Sequence, residues 1–260
     1  MESDVYLIGD TAPGVATIRL DRPKVNAINV GMVDEIARIC ARLREDDSIR
    51  AVVIWGGPKV FAAGADISEF PSLDPASAQA FSQHFNQVLL GVERLPQITI
   101  SAVNGYCLGG GLEVALSTDF RMAASDAAFG VPEIQLGLIP GAGGTQRLAR
   151  LAGVTMAKEM VYTGAHIDAE TALAYRIVSA VHDPETLYDE AVAKAAQYAK
   201  GPAALRMAKT AILDGLHLPL AEAVEVESRQ WFDVFGTEDC RIGVDSFLSQ
   251  GPGKADFTGR

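Results

Sequence analysis

An α/β fold followed by an all-helical C-terminal portion is what this 260-residue chain predicts. Three observations carry that expectation. Continuous apolar runs of strand length, Ala51–Trp55 and Ile98–Val103, alternate with longer segments whose apolar residues recur at helical spacing. Glycine- and alanine-rich stretches follow those runs directly, at residues 61–67 and 105–111, where loops at the end of a rigid sheet tend to carry function. From Pro184 onward the pattern is almost entirely helical. The division falls near residue 200, giving one unit over 1–200 and a helical region over 201–260.

Taken in order, Val5–Ile8 and Val15–Leu20 are β-branched and apolar, with turn residues Asp10-Thr-Ala-Pro-Gly14 between them, and read as a hairpin. Met32, Val33, Ile36, Ile39, Cys40 and Leu43 share one helix face, with Asn29 as N-cap. Ala51–Trp55 is a buried strand closed by Gly56-Gly-Pro58. Pro75 at a first helical position, preceded by Asp74, opens a helix to about Arg94. Ile98–Val103 is the next buried strand, a helix covers Leu112–Ser117, and Phe120–Ala123 is a short strand. Pro132 biases Val131 towards extended backbone, so Glu133 sits at a loop or helix start. Short helices over Thr145–Leu151 and Met156–Tyr162 precede a last small strand at Val178–Val181. Asp183-Pro184, Gly201-Pro202, Gly215 and Pro219 punctuate the helices that follow, and Thr237 caps the last. No sequence repeat is evident.

Nearly half the residues are apolar, which is globular composition, and the net charge of −11 argues against bulk attraction to nucleic acid or anionic membranes. Cys40, Cys107 and Cys240 are widely spaced and odd in number, which fits a reducing, cytoplasmic setting. The acidic start Met-Glu-Ser-Asp does not resemble a targeting signal, and no run approaches a membrane span.

The chemistry centres on Ser101-Ala-Val-Asn-Gly-Tyr-Cys-Leu-Gly-Gly-Gly-Leu-Glu113, a strand running through a turn into three glycines and a helix. Glycines there permit close backbone approach and unusual φ values, and the start of a helix offers unpaired N–H groups. The run suits an oxyanion or bound anion, or equally tight packing, and Glu113 is also an ordinary first-turn residue. Other sites fall away. No Gly-x-Ser-x-Gly elbow exists, the dinucleotide-like Gly141-Ala-Gly-Gly-Thr-Gln146 lacks its third glycine, and His84, His166, His182 and His217 are isolated. What remains is a pair of carboxylates, Glu113 and Glu133, beside glycine-rich backbone at Ala65 and Gly110. Those parts suit acid–base proton transfer next to a carbonyl that becomes an enolate, without a metal or redox cofactor.

Three stretches carry a resemblance: Phe61-Ala-Ala-Gly-Ala-Asp-Ile67, Ala102–Glu113, and Phe129-Gly-Val-Pro-Glu-Ile-Gln-Leu-Gly-Leu-Ile-Pro-Gly-Ala-Gly-Gly-Thr-Gln-Arg147. With weaker matches at Asp21–Ala27 and Phe235–Asp239 they resemble the crotonase superfamily, and within it the enoyl-CoA hydratases. The resemblance implies a crotonase-like spiral of ββα repeats and a helical tail used to form trimers, which pair as hexamers. It implies an acyl-CoA thioester as substrate, coenzyme A being part of it rather than a separate cofactor. The thioester oxygen would sit between the N–H groups of Ala65 and Gly110, with Glu113 as base and Glu133 as proton donor. Lys24, Val25 and Ala27 would lie along the CoA moiety, although Lys24 reads equally as a solvated cation. Ala63, Asp66 and Ile67 would line the adenine and pantetheine channel mostly through backbone, with Asp66 as a loop cap in the plain alternative. Trp231 and Phe235 would cover the acyl pocket or a subunit seam, or simply pack in a core. The basic run common after the last helix in this family is replaced by Leu248-Ser-Gln-Gly-Pro-Gly-Lys254. A double-bond isomerase is the alternative within the family. An acyl-CoA- or RNA-binding protein is the alternative outside enzymes, the latter disfavoured by the acidic charge.

Overall fold

Every side chain of Ile98–Val103 is buried, and this strand is an inner member of the sheet on which the molecule is built. The structure is a computed structural model that describes residues 4–260; the acidic start at Met1, Glu2 and Ser3, read above as no targeting signal, lies outside the described residues. The strands are β1 (Val5–Ala12), β2 (Val15–Leu20), β3 (Ala51–Trp55), β4 (Ile98–Val103), β5 (Tyr106–Leu108), β6 (Phe120–Ala124), β7 (Ala128–Gly130), β8 (Ile167–Asp168) and β9 (Ala180–His182). The large sheet has the order β1-β2-β3-β4-β6-β9. Only the β1–β2 hairpin is antiparallel; each later pair is parallel. A small sheet, β5-β7-β8, forms a second layer.

The helices are α1 (Val30–Glu45), α2 (Pro75–Glu93), α3 (Gly110–Leu116), α4 (Gly144–Leu151), α5 (Val154–Thr163), α6 (Ala169–Ala174), α7 (Leu187–Ala199), α8 (Ala204–Gly215), α9 (Leu220–Val234) and α10 (Glu238–Gln250). The expected caps are in place. Asn29 accepts the Met32 N–H, and Asp74 exchanges hydrogen bonds with Ser77 in a reciprocal capping box. α7 buries Leu187, Ala191, Ala195 and Ala199, one small-residue face that lets the helix lie close on the sheet.

The absence of a sequence repeat conceals a structural one. β4–β5–α3 and β6–β7–α4 each run from a strand of the large sheet, to a strand of the small sheet, to a helix. In two earlier turns the second strand shrinks to one bridging residue. β2 leads through Ile28, bridged to Ala65, into α1; β3 leads through Ala62, bridged to Cys107, towards α2. This is the spiral of ββα units that the resemblance implied. Strand β5 and the β8–α6 unit were missed in the sequence, because three- and two-residue strands carry no readable alternation.

The tail is tied to the sheet by buried polar contacts. Lys209 of α8 donates to Asp119 (2.7 Å) and to the Gln97 carbonyl (2.9 Å). Asp239 of α10, 1 % exposed, accepts from the Ala203, Thr258 and Gly259 N–H groups and so holds the chain end against the start of α8. No helix among the described residues is long and apolar enough to cross a membrane.

Candidate active site

Two loops that leave the sheet at adjacent strands meet as backbone against backbone. Residues 25–28, after β2, run beside residues 63–66, after β3, through hydrogen bonds from Ala63 N–H to Val25 O (3.0 Å), Ile28 N–H to Gly64 O (2.8 Å) and Asp66 N–H to Ile28 O (2.8 Å). Asn26, 4 % exposed and at φ +52°, fixes both. Its amide donates to Gly56 O and Phe61 O (2.8 and 2.9 Å) while its side-chain oxygen accepts the Arg22 N–H. In this ladder the Ala65 N–H has no acceptor among the described residues, because the bridge to Ile28 uses the groups of Gly64 and Asp66.

The three glycines each have a separate reason to lack a side chain. Gly109 takes φ +50°, and a Cβ there would stand 2.6 Å from Glu133 Oε1. Gly110 opens α3, where its N–H has no helical acceptor. A Cβ on Gly110 would lie 3.6 Å from the Ala65 nitrogen, so the two backbones face each other closely. Gly111 abuts the Ala62 carbonyl; a Cβ would come within 2.3 Å of that oxygen, which is itself held by the Leu108 N–H. Gly111→Ala should therefore cost about 3 kcal/mol in urea unfolding, since a backbone carbonyl cannot yield. Gly109→Ala should cost about 1–2 kcal/mol, because its obstacle is the free end of a side chain and the φ strain alone remains.

Helix α3 has seven residues, all buried, and it carries Glu113 inward at 2 % exposure. Glu113 Oε1 accepts from the Ala142 and Gly144 N–H groups at 2.7 and 2.8 Å, at the start of α4. Burial raises its pKa, opposed by these two N–H donors and by the positive charge of Arg147. Glu133 comes from a 3-10 turn over Pro132–Leu136. Its Oε2 is buried with no hydrogen-bond partner among the described residues. Burial first, and the Glu113 charge in addition, push its pKa up to about 7 from 4.5. The two carboxylates thus differ in a definite direction: two backbone N–H groups at the start of α4 favour the ionised form of Glu113, whereas Glu133 is helped in this way only by its own backbone N–H and keeps Oε2 unpartnered.

Both glutamates, Ala65 and Gly110 line one cavity of about 320 Å³. Its remaining wall is mainly apolar, chiefly Phe81 and Phe85 of α2 with Leu73, Leu138 and Ile139, and Ser82 of α2 adds a hydroxyl to it. The cavity therefore joins four residues expected from sequence to an apolar wall whose α2 part, Phe81 and Phe85, sequence reasoning did not assign.

The enoyl-CoA hydratase/isomerase family model matches residues 10–260. The chain belongs to the enoyl-CoA hydratase/isomerase family. It is 38% identical over 239 residues to the short-chain-enoyl-CoA hydratase of Clostridium acetobutylicum, covering 91% of this chain and 92% of that one. It is 38% identical over 246 residues to the crotonyl-CoA hydratase of Syntrophomonas wolfei, covering 94% of each. The crystal structure of an enoyl-CoA hydratase from Bacillus anthracis superposes with a TM-score of 0.93 at 34% identity, over 99% of this chain and 100% of that chain.

For this hydratase/isomerase-family chain the structure separates the remaining sequence expectations. Lys24, Val25 and Ile67 are exposed at the mouth of the paired 25–28 and 63–66 segments, with Ala27 and Ala63 half-buried within them. The Asp66 carboxylate is occupied: it accepts from the Ser68 N–H (3.0 Å) and hydroxyl (2.6 Å), capping a 3-10 turn over Ile67–Ser72, and pairs with Arg22 at 2.7 Å. These contacts hold its pKa below the usual carboxylate value, led by the Ser68 hydroxyl. The loop-cap alternative is what the side chain does. Trp231 and Phe235 stack edge-on in and just after α9, 66% and 61% exposed, and neither lines the cavity of its own chain. They do not pack in the core of this chain. Sequence reasoning missed Arg147, which donates to the Ala142 carbonyl (3.0 Å) and pairs with Glu93 (3.1 Å). Its signal was its place inside the longest matching stretch.

Proposed function

We propose that this chain is an enoyl-CoA hydratase, adding water across the 2,3 double bond of a trans-2-enoyl-CoA to give the 3-hydroxyacyl-CoA. One observation carries the reading: two glutamates of unlike environment share a single apolar cavity with two free backbone N–H groups. The names of the relatives above agree with it.

In the mechanism, the thioester oxygen accepts from the Ala65 and Gly110 N–H groups. Glu113 takes a proton from water as the water oxygen bonds to C3. The π electrons move onto the thioester oxygen, where the two donors stabilise the enolate. The carbonyl re-forms as Glu133 gives its proton to C2. The sum is one water added, with a proton to be passed back from Glu113 to Glu133 before the next turnover. α3 is short, so stabilisation comes from the N–H groups themselves more than from a long helix dipole. The acyl chain lies against Phe81, Phe85, Leu138 and Ile139, and the CoA moiety runs out along residues 24–27 and 63–67.

The same proposal takes residues 1–200 as the acyl-CoA-binding catalytic core and 201–260 as the helical region of a homotrimer or a hexamer of paired trimers. Trp231, Phe232 and Phe235, exposed on one stretch of α9 and its C-terminus, support a seam there. The proposed setting is the cytoplasm, which bacterial relatives favour.

Stereospecific hydration of enoyl-CoA thioesters across a chain-length series tests the reading. Hydration is expected with kcat/KM declining as pH rises through about 7, since Glu133 must be protonated and its pKa in the free protein is about 7. Isomerisation of 3-enoyl-CoA without hydration would make the isomerase the correct assignment.

A further inference from the structure

The Gly141–Ala142 peptide lies between the active-site base and a polar pair on α2. Its N–H, on Ala142, donates to Glu113 Oε1 at 2.7 Å. Its oxygen, on Gly141, accepts from the Ser82 hydroxyl at 2.6 Å and from the Asn86 side-chain amide at 2.7 Å. Ser82 and Asn86 are one helical turn apart on one face of α2, and Asn86 also donates to the Ser82 carbonyl at 2.9 Å, which fixes its amide. This peptide is trans, so its C=O and N–H lie in one plane and point in opposite directions. Anchoring the oxygen on α2 therefore aims the N–H at Glu113. Donors on the oxygen also polarise the amide and strengthen the bond that its N–H gives.

We propose that Ser82 and Asn86 are positioning residues for the reaction: through the Gly141–Ala142 peptide they keep Glu113 ionised and correctly aimed. The inference rests on Glu113 being the base. Neither residue touches Glu113 directly in the hydrogen-bond pattern, and nothing in the fold of α2 requires a serine and an asparagine there. The helix is already capped by Asp74 and buries Phe85, Val88, Leu89 and Val92 on its apolar face. The charged groups facing Glu113 are few. Arg147 of α4 is attractive and is itself paired with Glu93 of α2, and Glu133 of the 3-10 turn is repulsive. His84, also on α2, faces Asp34 of α1 and takes no part. On α3 itself Glu113 is the sole titratable group.

The sign follows from what each donor favours. Weakening the Ala142 N–H bond disfavours the carboxylate, so the pKa of Glu113 rises and the acid limb of the pH profile moves up. The test is the pH dependence of kcat/KM and kcat for crotonyl-CoA hydration by Ser82→Ala, Asn86→Ala, Ser82→Thr and wild type. For each alanine variant the acid limb should move up by about half to one unit, a loss of up to about tenfold below the limb. Well above that limb, Asn86→Ala, which lies outside the cavity lining, should return to within about twofold of wild type with KM unchanged, while Ser82→Ala, at a cavity-lining residue, is compared by kcat. Ser82→Thr keeps the hydroxyl and should restore the wild-type limb. A parallel carbon-13 NMR titration of the Glu113 carboxyl in substrate-free protein should record the same upward shift. Equal loss at every pH, a change in KM alone, or an unmoved carboxyl titration would overturn the proposal and leave the pair as loop anchors. Glu113→Gln in the same series separates the two claims. Full hydration by that variant removes Glu113 as base, whereas its inactivity with unshifted Ser82 and Asn86 profiles removes only the relay.

Discussion

Glu113→Gln and Glu133→Gln each lower kcat for enoyl-CoA hydration by about 10³-fold while binding of acyl-CoA persists; this is the expected result for a positioned acid and base. Neither change disturbs the fold greatly. A glutamine at 113 still offers an oxygen to the Ala142 and Gly144 N–H groups, and at 133 the oxygen Oε2 had no partner to lose. The two variants part company in stability. Glu133 has its pKa raised in the fold, from 4.5 to about 7, so the folded state holds the proton more tightly than the unfolded chain. Wild type then loses stability as pH rises between those values, and Glu133→Gln does not lose that increment. Because Glu133 is only partly buried, the difference at pH 8 is about 1–2 kcal/mol. Chemical denaturation at pH 4 and pH 8, with acyl-CoA binding by calorimetry, checks both halves. Retained turnover in either variant would remove that carboxylate from the mechanism.

Gly110→Pro is the second substitution with a large effect. Proline suits the first position of a helix, so α3 still starts at residue 110. The change removes the N–H proposed to meet the thioester oxygen. Losing one such donor costs about 3–4 kcal/mol of barrier, or 10²–10³ in kcat. Gly110→Ala separates this loss from steric filling. It keeps the N–H and brings a methyl within 3.3 Å of the Phe85 ring, so it should chiefly raise KM. Steady-state kinetics on crotonyl-CoA should therefore split, with kcat falling in the proline variant and KM rising in the alanine variant. Equal kinetics for the two would mean that the 110 N–H does not stabilise the transition state.

The large sheet, the capped helices and the tail were legible because their signals are local. Ala51–Trp55 and Ile98–Val103 are unbroken apolar runs, and Asn29 and Asp74 sit where their helices need them. The small sheet was not, since its pairing partners are backbone groups contributed by distant turns of the spiral. In the site, Glu113, Glu133, Ala65 and Gly110 could be named because glycines and carboxylates stand out in the chain. That they share one cavity could not be read from their spacing, which covers residues 65–133. The apolar wall from Phe81 and Phe85 was hidden within an ordinary amphipathic helix. Asp66 shows where the residues alone left two roles open. The resemblance put it on the CoA channel mostly through backbone, and its carboxylate is taken up by Ser68 two residues later and Arg22 across the loop, as the loop-cap alternative has it.

The glycine contacts at 109 and 111 have a consequence for how such a protein diversifies. Ala62 O, Gly111 and the Ala65–Gly110 approach fix the reacting end of the cavity through main-chain atoms, which substitutions elsewhere scarcely reach. The far wall is made of side chains, from Phe81, Leu73, Leu138 and Ile139, borne on segments outside the sheet. Mutational drift therefore meets two unequal resistances in one chamber. A lineage can exchange one substrate tail for another by single replacements at the far wall. A change in the reaction itself requires altering Glu113 or Glu133, or re-laying the chain.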